Sequence, residues 1–123
     1  MIYKIIISGR LPGLNEYINA CRSNPYRGAT MKQRAERSVI NAALVQLKKT
    51  KIKKPVTMSY LWVEQDRRRD MDNVSSFGRK VIQDGLVKSG ILRNDGWKEI
   101  KGFSDSFAVD QLRPRIEVTI TEL

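Results

Sequence analysis

The stretch QDRRRDMDN, Gln65 to Asn73, sets two aspartates, Asp70 and Asp72, two residues apart directly after three consecutive arginines. It falls where a strand gives way to a helix, and an extended backbone there aims side chains i and i+2 to the same side. Two carboxylates so aimed suit a hard divalent cation such as Mg²⁺, which keeps several waters and needs only one or two protein carboxylates. Held beside a phosphate, such an ion polarises the phosphoryl oxygen and supplies hydroxide at neutral pH. The chain contains no histidine. The commonest general base and zinc ligand is therefore absent, and any catalysis must rest on carboxylates, lysines or hydroxyls. Arg67, Arg68 and Arg69 supply the complement: guanidinium forks match phosphate oxygens, and their charge keeps nearby aspartates ionised.

The same residues have plainer uses. Asp72 or Asn73 can accept N–H bonds at the helix start, Asp70 can pair with an arginine, and the arginines can form a salt-bridged loop. A third carboxylate, Asp95 in RNDG, lies in a turn beyond the following helix. It is either an ordinary Asp-Gly turn residue or one that returns toward the sheet to meet the other two.

The elements that must position these groups are legible from periodicity. IYKIIIS (2–8) is β-branched and reads as a buried strand. GRLPGLNEYINACRSNPYRG follows, and its glycines, prolines and asparagines read as a long loop of the kind that is usually functional or stabilised by a partner. Tyr17, Tyr26 and Arg27 in it are candidates for dimer or DNA contacts, set against ordinary loop packing. Ala35, Val39, Ala42, Ala43, Val45 and Leu47 then recur at near-helical spacing, predicting a helix over roughly 32–50. VTMSYLWV (56–63) predicts the second strand, with Tyr60 and Trp62 on one face and Leu61 and Val63 on the other. Val74, Phe77, Val81, Ile82 and Leu86 predict a second helix that ends at Gly90, a residue suited to the C′ position. WKEIKGF (97–103) reads as a short third strand, and PRIEVTITE as a half-exposed fourth. The expected fold is α+β: a single domain over 1–123 in the order β-α-β-α-β-β, with a mixed four-stranded sheet packed with two main helices.

Composition narrows the function classes. The formal net charge is +10, and all of it lies in residues 1–54, which carry 12 Lys/Arg against Glu16 and Glu36 while residues 55–123 carry 11 against 11. Such a basic half points to a polyanion, nucleic acid before membrane, since no amphipathic segment has the bulky apolar face that membrane binding requires; a merely solvated basic surface is the alternative. No apolar run approaches the roughly 20 residues that cross a bilayer, and the start MIYKIIISGR does not read as a signal peptide. The single cysteine, Cys21, cannot form an internal disulfide and points to a reducing compartment, by default the cytoplasm.

DRRRDMDN, the downstream KVIQDGLVKSGILRNDGWKEI and the closing RIEVTITE together resemble the RusA-like Holliday-junction resolvases, prophage-type endodeoxyribonucleases. LPGLNEY looks like that family's Pro- and Asn-containing loop after the first strand, so the resemblance extends along the chain. It implies a homodimer that binds four-way DNA junctions and makes paired symmetric nicks with Mg²⁺ or Mn²⁺, in DNA recombination and repair. The family's three essential aspartates match Asp70, Asp72 and Asp95. Its functional lysine falls at Ser76 in this chain; Lys80 lies one helical turn later and either faces the site or pairs with Asp84 at i,i+4. Arg79 and Lys80 join Arg67 to Arg69 as candidate phosphate contacts. Two other readings stay open, a nuclease of the same chemistry acting on flaps or other branched DNA in phage replication, and a non-catalytic nucleic-acid-binding module.

Overall fold

A computed structural model describes residues 1–123. The elements run β1 (Ile2–Ser8), α1 (Leu14–Ser23), α2 (Pro25–Leu47), β2 (Val56–Glu64), α3 (Met71–Lys88), β3 (Ile100–Val109) and β4 (Arg115–Glu122). The sheet order is β1-β4-β2-β3. β4 lies antiparallel to both β1 and β2, while β2 and β3 are parallel. This is the expected α+β domain with its mixed four-stranded sheet, carrying three helices instead of two. All three lie against one face. That face receives Ile5 and Ile7 from β1, Ile116, Val118 and Ile120 from β4, and Val56, Met58, Tyr60 and Trp62 from β2, all buried. The opposite face is lined by Thr57, Ser59 and Leu61 of β2 beside Thr121, Thr119 and Glu117 of β4.

Two expectations are corrected. The segment read as a long loop is mostly helical: α1 presents Leu14, Tyr17 and Ile18 at i, i+3, i+4 spacing, and the Tyr17 ring stacks on Phe77 of α3 at 4.2 Å. Asn24-Pro25 opens a helix instead of breaking one. Asn24 is the N-cap, its Oδ1 accepting from the Tyr26 N–H at 2.8 Å, and Pro25 takes the first helical position, where its missing N–H costs nothing. α2 therefore starts at Pro25, well before residue 32. The third strand is also displaced: it begins at Ile100 and reaches Val109, leaving Trp97 95% exposed in the preceding turn. Ser104, Asp105 and Ser106 are weak strand formers, and parallel pairing with β2 draws them into the edge of the sheet.

α3 ends as expected. Gly90 adopts φ 83°, its N–H bonds to Val87 O, and the Ile91 N–H reaches back to Leu86 O, the paired bonds that close a helix at a left-handed residue. Along its length α3 lies unusually close to its neighbours. A Cβ at Gly78 would stand 2.8 Å from the Trp62 ring, and one at Gly85 would stand 2.8 Å from Val39 Cγ1 on α2. Trp62 is 1% exposed and cannot yield. Gly78→Ala is therefore expected to destabilise despite alanine's better helix propensity. Overpacking costs about 1–3 kcal/mol against a propensity gain of up to about 1 kcal/mol, so the urea midpoint should fall.

Candidate active site at the carboxyl end of the parallel strands

β2 and β3 run parallel and end at Glu64 and Val109. Beyond those ends the chain passes from β2 through residues 65–70 into α3, the place where open α/β sheets gather ligands. A cleft of about 450 Å³ opens there, lined by Glu64, Asp66, Arg67, Arg69, Asp70, Met71, Val74 and the last residues of β3, Phe107 to Val109.

Both flanks of Asp70 and Asp72 are tied to Leu11 and to the first turn of α1. On one side, Arg69 donates from Nε to Glu64 Oε1 and from Nη2 to Glu64 Oε2, both at 2.9 Å. Its Nη1 donates to Leu11 O at 3.1 Å and to Glu16 Oε1 at 3.3 Å. On the other side, Asn73 Oδ1 accepts from the Asn15 N–H at 2.8 Å, taking up one of the donors left free at the start of α1. Glu16 in turn accepts from the Gly13 N–H.

Between these anchors the aspartates stand free. Asp70 is the N-cap of α3 by backbone position, yet its side chain makes no cap bond, and Asp72 points no carboxylate oxygen at a donor either. Both are exposed. Of the 13 acidic side chains, all but Asp70, Asp72 and Glu99 have an ion pair or a side-chain hydrogen bond. Neither capping nor arginine pairing accounts for the D-x-D.

The arginines divide. Arg69 is spent on Glu64, Glu16 and Leu11, its side chain only 12% exposed, so the expected phosphate contact is replaced by a structural brace. Arg68 lies 3.6 Å from Asp66 and is largely exposed, and Arg67 is exposed, without an ion pair, on the cleft wall. Arg79 is likewise spent: its Nη1 bonds Asp105 of β3 and its guanidinium lies 4.5 Å over the Phe103 ring, pinning α3 to the edge strand. Asp105 also accepts from the Trp62 indole N–H at 3.0 Å.

Asp95 does return to the helix side of the molecule, but to Lys80. Lys80 Nζ lies 3.2 Å from Asp84 Oδ1 and 3.9 Å from Asp95 Oδ2. Asp72 and Lys80 are about two turns apart on α3, roughly 12 Å along the axis. No three His, Cys, Asp or Glu side chains are gathered closely enough to enclose an ion. The expected extended backbone does not run through both aspartates: Asp70 is extended and lies on the cleft wall, while Asp72 is already in the first turn of α3, so each offers hard oxygens to open solvent, where a cation would retain most of its waters.

Asp84 has a separate role. It bridges Lys32 of α2, at 3.1 Å, and Lys80 of α3. Burial acts to raise its carboxyl, but hydrogen bonds from Lys32 and Lys80 outweigh this and hold it below its ordinary value of 3.8. A carboxyl depressed in the folded state contributes stability that is complete above its unfolded value and is lost as pH falls through the folded one. Urea midpoints are therefore expected to drop between pH 5 and pH 3 in the native chain, and to drop less in Asp84→Asn.

Sequence reading missed Glu64. Its signal was available: it continues the phase Val56, Met58, Tyr60, Trp62 that faces the core, and a carboxylate in that phase demands a cationic partner. No helix is long and apolar enough to cross a membrane. Comparison with protein-family models and with curated proteins finds no match.

Proposed function

We propose that this protein is a metal-dependent endodeoxyribonuclease that resolves four-way DNA junctions by paired symmetric nicks, working as a homodimer in the cytoplasm. The observation that carries this reading is that Asp70, on the cleft wall, and Asp72, in the first turn of α3, are exposed and unpartnered between the braced Arg69 and Asn73. Exposed aspartates in a chain of net charge +10 have ample cations to pair with. Leaving them free while Arg69 and Asn73 on either side are tied down supports a role as ligands.

Asp70 and Asp72 would hold Mg²⁺ or Mn²⁺, which when bound supplies Lewis-acid activation of the phosphate and of a water. The chain's own residues do the rest. Arg67 on the cleft wall takes a phosphate oxygen, while Glu64, Arg69 and Asn73 fix the backbone that carries the aspartates, so the geometry needs little reorganisation when substrate arrives. Asp95, the third aspartate of the resemblance, offsets the charge of Lys80. Two symmetric nicks require two such sites related by a two-fold axis, which a homodimer provides.

The test compares a synthetic four-way junction, a flap and a linear duplex of the same sequence with Mg²⁺ or Mn²⁺. Paired symmetric cuts restricted to the junction are expected. Equal cutting of flap and junction would redirect the reading to a branched-DNA nuclease, and binding without any cutting would leave a nucleic-acid-binding module.

A further inference from the structure

A concavity lined by three arginines lies away from the aspartates, between α1, α2 and the segment after β1. It encloses about 600 Å³, and its walls include Arg10, Arg27 and Arg34 together with Asn24, Thr30 and Ser38. Arg27 and Arg34 stand seven residues apart on α2, two helical turns on one face. No acidic residue lines the cavity.

The charge in this basin is not compensated from within. Arg27 and Arg34 form no ion pair, and Arg10 has only Glu64, at 3.4 Å. Glu64 already accepts two 2.9 Å bonds from Arg69, so one carboxylate serves two guanidiniums. Like charges gathered in a concavity raise a positive potential that a bound anion relieves. The Asn24 Oδ1 is occupied by the Tyr26 N–H, which leaves its amide N–H groups free to donate. Three guanidiniums lining one concavity, two of them without a counter-ion, offer forked donors that match phosphate oxygens.

We propose that the Arg10, Arg27 and Arg34 basin is a second phosphate site, seating a backbone phosphate of the DNA strand whose cleavable phosphate lies at Asp70 and Asp72. This rests on the nuclease reading and adds to it a fixed anchor outside the reacting site. The two sites share a physical link, since Glu64 touches Arg10 at the basin and Arg69 at the cleft. A strand spanning the basin and the cleft would be gripped at the basin by contacts that carry no base information.

The test measures binding of a labelled four-way junction by anisotropy with EDTA present, across a salt series. Arg27→Ala/Arg34→Ala is compared with Arg37→Ala/Lys49→Ala, which removes the same charge from exposed positions outside the cavity. The basin variant is expected to bind at least about tenfold more weakly, with a salt slope smaller by about 2 than that of the native chain. The control should keep the native slope. A second arm titrates inorganic phosphate into the native protein and follows backbone amide NMR shifts, expected at residues 24–38. Equal losses in the two variants overturn the second site, as does a phosphate response elsewhere or none. If phosphate binds at 24–38 but the basin variant binds the junction normally, the basin is an anion site and not a strand contact, which also overturns the proposal. Cleavage is not read in either arm, so a basin variant that fails to bind while the native protein never cuts would sink the nuclease reading alone.

Discussion

Asp72→Asn is expected to abolish junction cutting, by about a hundredfold at least, while leaving junction binding intact or slightly tighter. The magnitude follows from the chemistry assigned to the pair. Lewis-acid activation of a phosphate contributes several kcal/mol to the transition state, and about 1.4 kcal/mol is a factor of ten. Asparagine keeps the shape and one oxygen but loses the charge that holds a divalent cation. The fold should lose no more than about 1 kcal/mol, the interaction of the Asp72 charge with the first turn of α3, because neither aspartate has a hydrogen-bonded or ionic partner to lose. Asp70→Asn should behave alike. Removing a negative charge from a DNA-facing surface favours the polyanion, so tighter binding with lost cutting is the signature that separates a metal ligand from a DNA contact. It is read by single-turnover cleavage and anisotropy on the same preparations, with urea denaturation as the control for folding.

Glu64→Ala should have the largest effect on stability. Glu64 is 8% exposed and accepts a two-pronged contact from Arg69, whose side chain is itself largely buried. Removing one member of a buried pair strands the other charge and costs about 3–5 kcal/mol. Small domains have about 5–15 kcal/mol in total, so the variant should be marginal at 37 °C. Arg69 would also lose its orientation and with it the register of residues 65–70, so cutting should fall in whatever fraction stays folded. Replacing both partners by apolar residues, Glu64→Leu with Arg69→Met, should recover most of the stability, since no charge is then left buried. Activity should not return with it, because the braces to Leu11 and Glu16 are gone as well. Urea midpoints of the two variants, set beside their cleavage rates, separate the contribution to folding from the positioning of Asp70.

Much of this was legible in the chain because strong periodicity leaves few alternatives. The phase of β2 separated Tyr60 and Trp62 from Leu61 and Val63, and the stripe Val74, Phe77, Val81, Ile82 and Leu86 marked α3 together with its glycine stop. The segment before α2 misled because Pro25 and Asn24 carry two meanings. As loop residues they break structure, and as N1 and N-cap they start it, and the difference is decided by the Tyr17 ring stacked on Phe77, a contact 60 residues apart in sequence. β3 was displaced for a related reason. Its polar residues have little strand preference of their own, and its bounds are set by pairing to β2.

The site was half visible. That Asp70 and Asp72 belong together follows from their spacing. Which arginines would be consumed did not, because Arg67, Arg68 and Arg69 are identical in type and their fates depend on Glu64 and on where Leu11 and Glu16 lie. Arg79 is the same case, decided by Asp105 and Phe103 on a strand that local pattern placed poorly. Lys80 took the plainer of its two expected roles, pairing with Asp84, and added Asp95 to it. Ion pairs between distant segments, such as Arg69 with Glu16 and Arg79 with Asp105, leave no periodic trace.

The most direct measurement is a time course of the purified dimer or monomer on a synthetic four-way junction, with Mg²⁺ in one arm and EDTA in the other. Symmetric nicks in opposing strands that require the metal and vanish in Asp72→Asn are the predicted result. Stable junction binding with intact strands in Mg²⁺ and in Mn²⁺, or cutting at the native rate by Asp72→Asn, would contradict the account.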